Sequence, residues 1–174
     1  YHKKNIVLPV NKFSEYIPKS TSSKNGLLHV LGFNHKYITH IDSNLTLSKY
    51  QNYIKDQKFF IDLIDSKSSK GYKLRANPNS INAGWSNEFD IVGNYSIDNE
   101  KHFIKSLKNN KLIVATCNQT TFLQSLAMNI PTVVFWNSEY ELLEDSVISD
   151  YKKLYDIGIL FDSPEAAAKH INEL

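Results

Sequence analysis

The sequence predicts one three-layer α/β domain over residues 1–174, with a mainly parallel sheet of about six strands and helices on both faces. Short β-branched or aromatic runs alternate with segments of helical period, hairpin signals are scarce, and the apolar content (41% of 174 residues) is enough for one core without disulfides.

The elements follow in order. Residues 6–10 read as the first strand, and the turn-rich stretch from Pro18 to Gly26 as a surface loop. Residues 27–42 fit no single element and are read as an extra strand or hairpin. A helix is expected over 47–64, then strands over 72–76 and 89–92. Asp98 is placed to N-cap a helix over 98–107, whose Phe103, Ile104 and Leu107 have helical spacing and which Asn109-Asn110 can end. The continuous apolar run in 112–116 suits a strand covered on both faces. A helix over 121–128 is closed by Asn129-Ile-Pro131 and leads into a strand over 132–136. The 140–155 helix would turn Leu142, Leu143, Val147, Tyr151 and Leu154 inward and Glu141, Glu144 and Asp145 outward. A strand over 158–161 and a helix over 164–174, with Ser163 as N-cap and Pro164 at its first position, complete the chain.

Composition narrows the function. Twenty Lys+Arg against 18 Asp+Glu leave a net charge of +2, too small a basic field to argue for nucleic acid. One cysteine, Cys117, allows neither an internal disulfide nor a two-thiol zinc or redox site, so a reducing, cytoplasmic setting is expected. No apolar run is long enough to span a bilayer, and residues after Tyr1 lack the apolar stretch of a leader. A start at Tyr1 instead of Met is expected of an excised piece.

Ligands of open parallel sheets sit beyond the carboxyl ends of the strands, which directs attention to the residues just after each run. With six glycines there is neither GxGxxG nor a P-loop, so any phosphate must rest on a helix N-terminus with hydroxyl and amide side chains. Thr116, Asn118, Gln119, Thr120 and Thr121 provide that chemistry; alternatively, Thr121-Phe-Leu-Gln124 is a capping box alone. Arg75, the only arginine, offers a bidentate fork or a surface ion pair. Trp85 and Trp136 could stack on a base or sugar, or simply pack. Glu139 would lie at the cleft rim, touching a sugar or pairing with a cation. His29, His35 and His40 show no metal spacing and read as exposed or core histidines, and Cys117 as a small buried filler; no metal site and no cofactor are expected.

The run from Asn118-Gln-Thr-Thr-Phe-Leu-Gln through Asn129-Ile-Pro-Thr-Val-Val-Phe-Trp136, then Glu139-Tyr-Glu-Leu, then Gly158-Ile-Leu-Phe-Asp-Ser-Pro-Glu, resembles the C-terminal part of a bacterial transferase family of surface-polysaccharide loci. Arg75-Ala-Asn-Pro and Gly84-Trp85 match an upstream element of that family, which is itself similar to GT-B glycosyltransferases. The resemblance is strongest over 72–174. It implies a Rossmann-like donor-binding domain for a nucleotide-sugar, with residues 116–121 on the phosphates and Arg75 neutralising them. Gln124 stands where relatives commonly have a ribose-binding Glu, which weakens that role. It also implies an N-terminal acceptor domain outside this chain, an isolated chain that binds without turnover, and a full-length protein at the periphery of the inner membrane. Two other classes fit the pattern: a flavodoxin- or receiver-like ligand module, although Val10-Asn-Lys-Phe lacks a receiver's acidic cluster, and a non-catalytic interaction domain.

Overall fold

Side chains along a strand point alternately to the two faces of a sheet, so a strand buried on both sides must be apolar at every position. Leu112-Ile-Val-Ala115 meets that condition and forms β4 (Leu112–Ala115), an inner strand. The computed structural model describes residues 25–32, 47–76, 95–138, 141 and 143–174. Among them the other strands are β1 (Leu27–Val30), β2 (Lys73–Arg75), β3 (Ser96–Ile97), β5 (Thr132–Phe135) and β6 (Leu160–Phe161). All pairings are parallel, in the order β3-β2-β1-β4-β5-β6. The helices are α1 (Leu47–Leu63), α2 (Phe103–Asn109), α3 (Thr120–Ala127), α4 (Asp145–Asp156) and α5 (Pro164–Glu173). This is the expected α/β architecture, with a six-stranded parallel sheet between two helical layers.

The alternation sorts the core. Leu27, Val114, Val133 and Phe135 meet Phe60 of α1, Ile64 just after it, and Ala167, Ala168 and Ile171 of α5. On the opposite face, Leu28, Val30 and Ile113 meet Leu107 of α2 and Met128 behind α3, while Ala115, Val134 and Leu160 meet Phe122 of α3 and Tyr151 and Leu154 of α4. Each buried Val, Leu, Ile, Phe or Met side chain among them stabilises the fold by about 1.5–3 kcal/mol.

Several ends differ from the local reading. Helix α2 starts at Phe103 with His102 as N-cap, because the Asp98 carboxylate turns to Arg75 and accepts the Glu100 N–H instead. Helix α4 starts at Asp145; Leu143, Val147, Tyr151 and Leu154 are partly buried and Glu144 and Asp145 exposed, as phased, but Glu141 points back to the sheet edge. Helix α5 begins as expected, with Ser163 Oγ accepting the Ala166 N–H at 3.2 Å and Pro164 in the first turn. Asn110 ends α2, and Asn129, at φ 51°, follows α3 in the left-handed region that asparagine tolerates. The expected strands at 6–10 and 89–92, most of the 18–26 loop, and His35, His40, Gly84, Trp85, Glu139, Tyr140 and Leu142 lie outside the described residues.

The main correction concerns the stretch that fitted no element: Leu27–Val30 is the central strand, paired with β2 and β4. Its apolar run is broken by His29, which is fully buried in the core. The Gln57 Oε1 atom of α1 can only accept, so His29 Nε2 carries the proton and donates at 2.9 Å, while Nδ1 accepts the Tyr72 hydroxyl at 2.6 Å. Phe60 and Phe135 close around the ring. Burial, opposed by the Gln57 hydrogen bond, moves the imidazole from its ordinary 6.5 down to about 4.

This depressed value couples folding to protons. Between the two pKa values the unfolded chain binds the proton and the folded chain does not, so stability present above the unfolded value is lost as pH falls toward the folded one. Denaturant titrations at neutral pH and near pH 4 should differ by about 3 kcal/mol from this residue. A His29→Gln protein should lack that increment; an unchanged pH dependence would assign the titration to another group.

Candidate functional site

Parallel pairing brings all carboxyl ends to one edge. Arg75, Val30, Ala115 and Val134 are in register across β2, β1, β4 and β5, so the residues following each strand leave the sheet side by side. The chain order reverses between β1 and β4, where open α/β sheets leave a crevice for ligands.

A polar knot ties those two strand ends. Thr116, 1% exposed, donates its hydroxyl to Val30 O at 3.1 Å, and its oxygen lies 2.8 Å from the Tyr53 hydroxyl of α1. The Gly32 N–H donates to both hydroxyl oxygens, at 2.8 Å to Tyr53 and 3.2 Å to Thr116. Its carbonyl accepts Gln119 Nε2 at 3.5 Å. A Cβ at position 32 would lie 2.0 Å from Cys117 Sγ and 2.5 Å from its Cβ, so only glycine fits between the strand ends. The amide that dinucleotide-binding sheets aim at a pyrophosphate after β1 is thereby consumed within the protein.

The N-terminus of α3 lies beside this knot. The expected capping box does not form: Gln119 is the N-cap, without a side-chain cap, and Thr121 lies already inside the helix. Gln119 and Thr120 are exposed and Thr121 is partly so. In this turn Asn118 N–H donates to Glu141 Oε1 at 3.1 Å and Gln119 N–H to Cys117 O at 2.9 Å, so among the described residues the amides without a partner begin at Thr120, and Asn118 Oδ1 accepts the Tyr151 hydroxyl. Burial lifts the Glu141 carboxyl above its ordinary value despite the Asn118 amide. Burial, with the charge of Glu141, also raises the Cys117 thiol, which makes it an inert filler and not a nucleophile.

The other expected site residues are placed differently. Arg75 and Asp98 form an ion pair at 2.7 Å with side chains only 8% and 7% exposed. The same Arg75 Nη1 donates to Glu100 O at 2.8 Å and Ser106 Oγ at 3.0 Å, and the guanidinium lies over Phe103. Asp98 stays below its ordinary value although burial opposes it, because Ser106, Arg75 and the Glu100 amide bond its carboxylate. Arg75 thus meets α2 on one face, whereas Thr116 meets α1 on the other; no hydrogen bond among the described residues joins them. Gln124 is buried, and Trp136 packs against Phe122 and Tyr151. Local sequence does not single out Tyr53 or Glu141, and only the position of Gly32, directly after an apolar run, hints at a role for that glycine.

Gly32→Ala should cost at least about 1–3 kcal/mol, the usual scale of overpacking, and the added Cys117→Gly substitution should recover part of it in thermal melts. Arg75→Ala should cost about 3 kcal/mol by stranding Asp98, with partial recovery in the Arg75→Ala/Asp98→Ala protein. A wild-type melting temperature for Arg75→Ala would show that the pair does not brace the fold.

Among the described residues no helix is long and apolar enough to cross a membrane, and no group of three His, Cys, Asp or Glu side chains could hold a metal. A search of curated proteins finds no match. The family profile described as LIC12162 family transferase matches residues 1–174. A match over the full length, on a parallel α/β sheet with its polar strand ends gathered at one edge, places the chain in the LIC12162 transferase family.

Proposed function

We propose that the chain is the nucleotide-sugar-binding domain of a glycosyltransferase of surface-polysaccharide synthesis, with the donor phosphate received at the N-terminus of α3. The observation that carries this reading is the α3 turn itself. It lies at the carboxyl edge of β4 next to the reversal of strand order, has no side-chain cap, exposes Gln119 and Thr120, and already draws a carboxylate onto the Asn118 amide. Free amides and the helix dipole favour an anion there. Membership of a transferase family supports the reaction class.

In this reading Asn118, Gln119, Thr120 and Thr121 contact phosphate, and Thr116 fixes the turn from below. Arg75 reaches the ligand only by leaving Asp98, so its first duty is to hold the end of β2 against α2. A ribose contact from Gln124 requires that buried side chain to turn outward. Base stacking is likewise restricted for Trp136, which is 3% exposed. Glu139, outside the described residues, is assigned to the rim from the sequence alone. Departure of the nucleotide would be aided by electrostatic positioning, and the acceptor would be held by a further, N-terminal domain. We place the full protein in the cytoplasm, at the periphery of the inner membrane.

A second reading has a specific basis. The order β3-β2-β1-β4-β5-β6 matches dinucleotide-binding sheets, but without the two-residue β3 it would match the flavodoxin order. Visible flavin absorbance of the purified protein would favour that module.

Calorimetric titration with nucleoside mono- and diphosphates decides between them. A diphosphate should bind, and Thr120→Glu, which puts a fixed negative charge at the helix start, should weaken it at least about tenfold, or about 1.4 kcal/mol. Equal affinity in wild type and Thr120→Glu would remove the phosphate from α3.

A further inference from the structure

A helix terminus recognises phosphate well only if its amides are already aimed, since a mobile turn must be ordered at the expense of binding. The described turn at α3 has no cap of its own to hold it. What holds it comes from across the sheet. Gly32, the second residue after β1, touches three of the first four residues after β4: its N–H donates to Thr116, its carbonyl accepts from Gln119, and its Cα lies against Cys117. Gly32 and Thr116 are joined in turn by one hydroxyl, that of Tyr53.

We propose that Tyr53 of α1 is the positioning residue of the phosphate turn, fixing Thr116 and Gly32 so that the first helical amides, from Thr120 on, are presented in one arrangement. This rests on the assignment of phosphate to α3. The geometry is specific. With Thr116 donating to Val30 O, its oxygen accepts from Tyr53, and the Tyr53 oxygen accepts from Gly32 N–H, so every group has a direction. The Tyr53 ring is 1% exposed and packs with Leu31, Leu74 and Ala76 at the carboxyl ends of β1 and β2, which locks its own rotamer. Removing the hydroxyl leaves Gly32 N–H with the longer Thr116 contact and takes from the Thr116 oxygen one of its two donors. Tyr53 touches no ligand in this scheme; it acts through Thr116.

Because Tyr53 and Thr116 use the Gly32 amide, that amide is not offered to the phosphate, whose contacts in this scheme come from the β4–α3 turn.

The test compares two tyrosines whose buried hydroxyls lie on the same side of the sheet. Tyr53→Phe disturbs the carboxyl edge, whereas Tyr72→Phe removes the hydroxyl bonded to His29, away from that edge. Titration with UDP, GDP, ADP and dTDP should show Tyr53→Phe at least tenfold weaker and Tyr72→Phe unchanged, although both melt lower. Thr116→Ser should retain affinity and Thr116→Val should lose it. Amide hydrogen exchange at residues 117–120 should accelerate in Tyr53→Phe but not in Tyr72→Phe. Wild-type exchange at that turn in Tyr53→Phe, or equal losses of affinity in both tyrosine variants, would overturn the positioning role. A wild-type protein that binds none of the four diphosphates would instead overturn the phosphate assignment, while the exchange comparison still judges Tyr53.

Discussion

The backbone amide of Gly32 is the constraint on which the ligand edge depends. It is buried where β1 and β4 diverge, too far along to take part in the ladder and too deep for water. Such an amide must find an acceptor, since leaving it bare costs about 1–3 kcal/mol. The hydroxyls of Tyr53 and Thr116 supply two, and the absence of a Cβ lets Cys117 close the remaining space. Satisfying one N–H therefore draws α1, β1 and β4 together at the point where an α/β sheet opens.

Two helix starts show opposite responses to the same problem. Helix α5 uses Ser163, which answers an orphan amide locally. Helix α3 leaves its first amides uncapped, and Glu141, more than twenty residues later in the chain, bonds the amide just before its N-cap, at the carboxyl edge of the sheet. The carboxylate gains the amide and the helix dipole but loses water, and its raised pKa says that burial outweighs the gain.

Asp98 illustrates how magnitude decides between a local and a tertiary role. As an N-cap it would contribute about 1 kcal/mol. As the partner of a buried arginine it prevents a loss of several kcal/mol, because an uncompensated guanidinium between β2 and α2 would be far costlier than an uncapped helix. The carboxylate therefore pairs with the guanidinium and leaves the helix end, and α2 starts later than its sequence suggests.

Local patterns along the chain were sufficient for the layers: period-two and period-3.6 repeats need no partner to be read, and they marked β4, β5, α1, α3 and the Ser163-Pro164 start of α5. They also directed attention to the 116–121 turn, because hydroxyl and amide residues after an apolar strand stand out locally. Tertiary structure was needed to make Leu27–Val30 the central strand, since a buried histidine looks polar until Gln57 and Tyr72, distant in the chain, are seen to satisfy it. It was needed too for Arg75 to face Asp98 and Ser106, for Thr121 to cap nothing, and for Tyr53, Gly32 and Glu141 to converge on one strand edge. These contacts join residues from different elements, and their energies come from burial and from pairing across the sheet, neither of which has a period or a spacing along the chain.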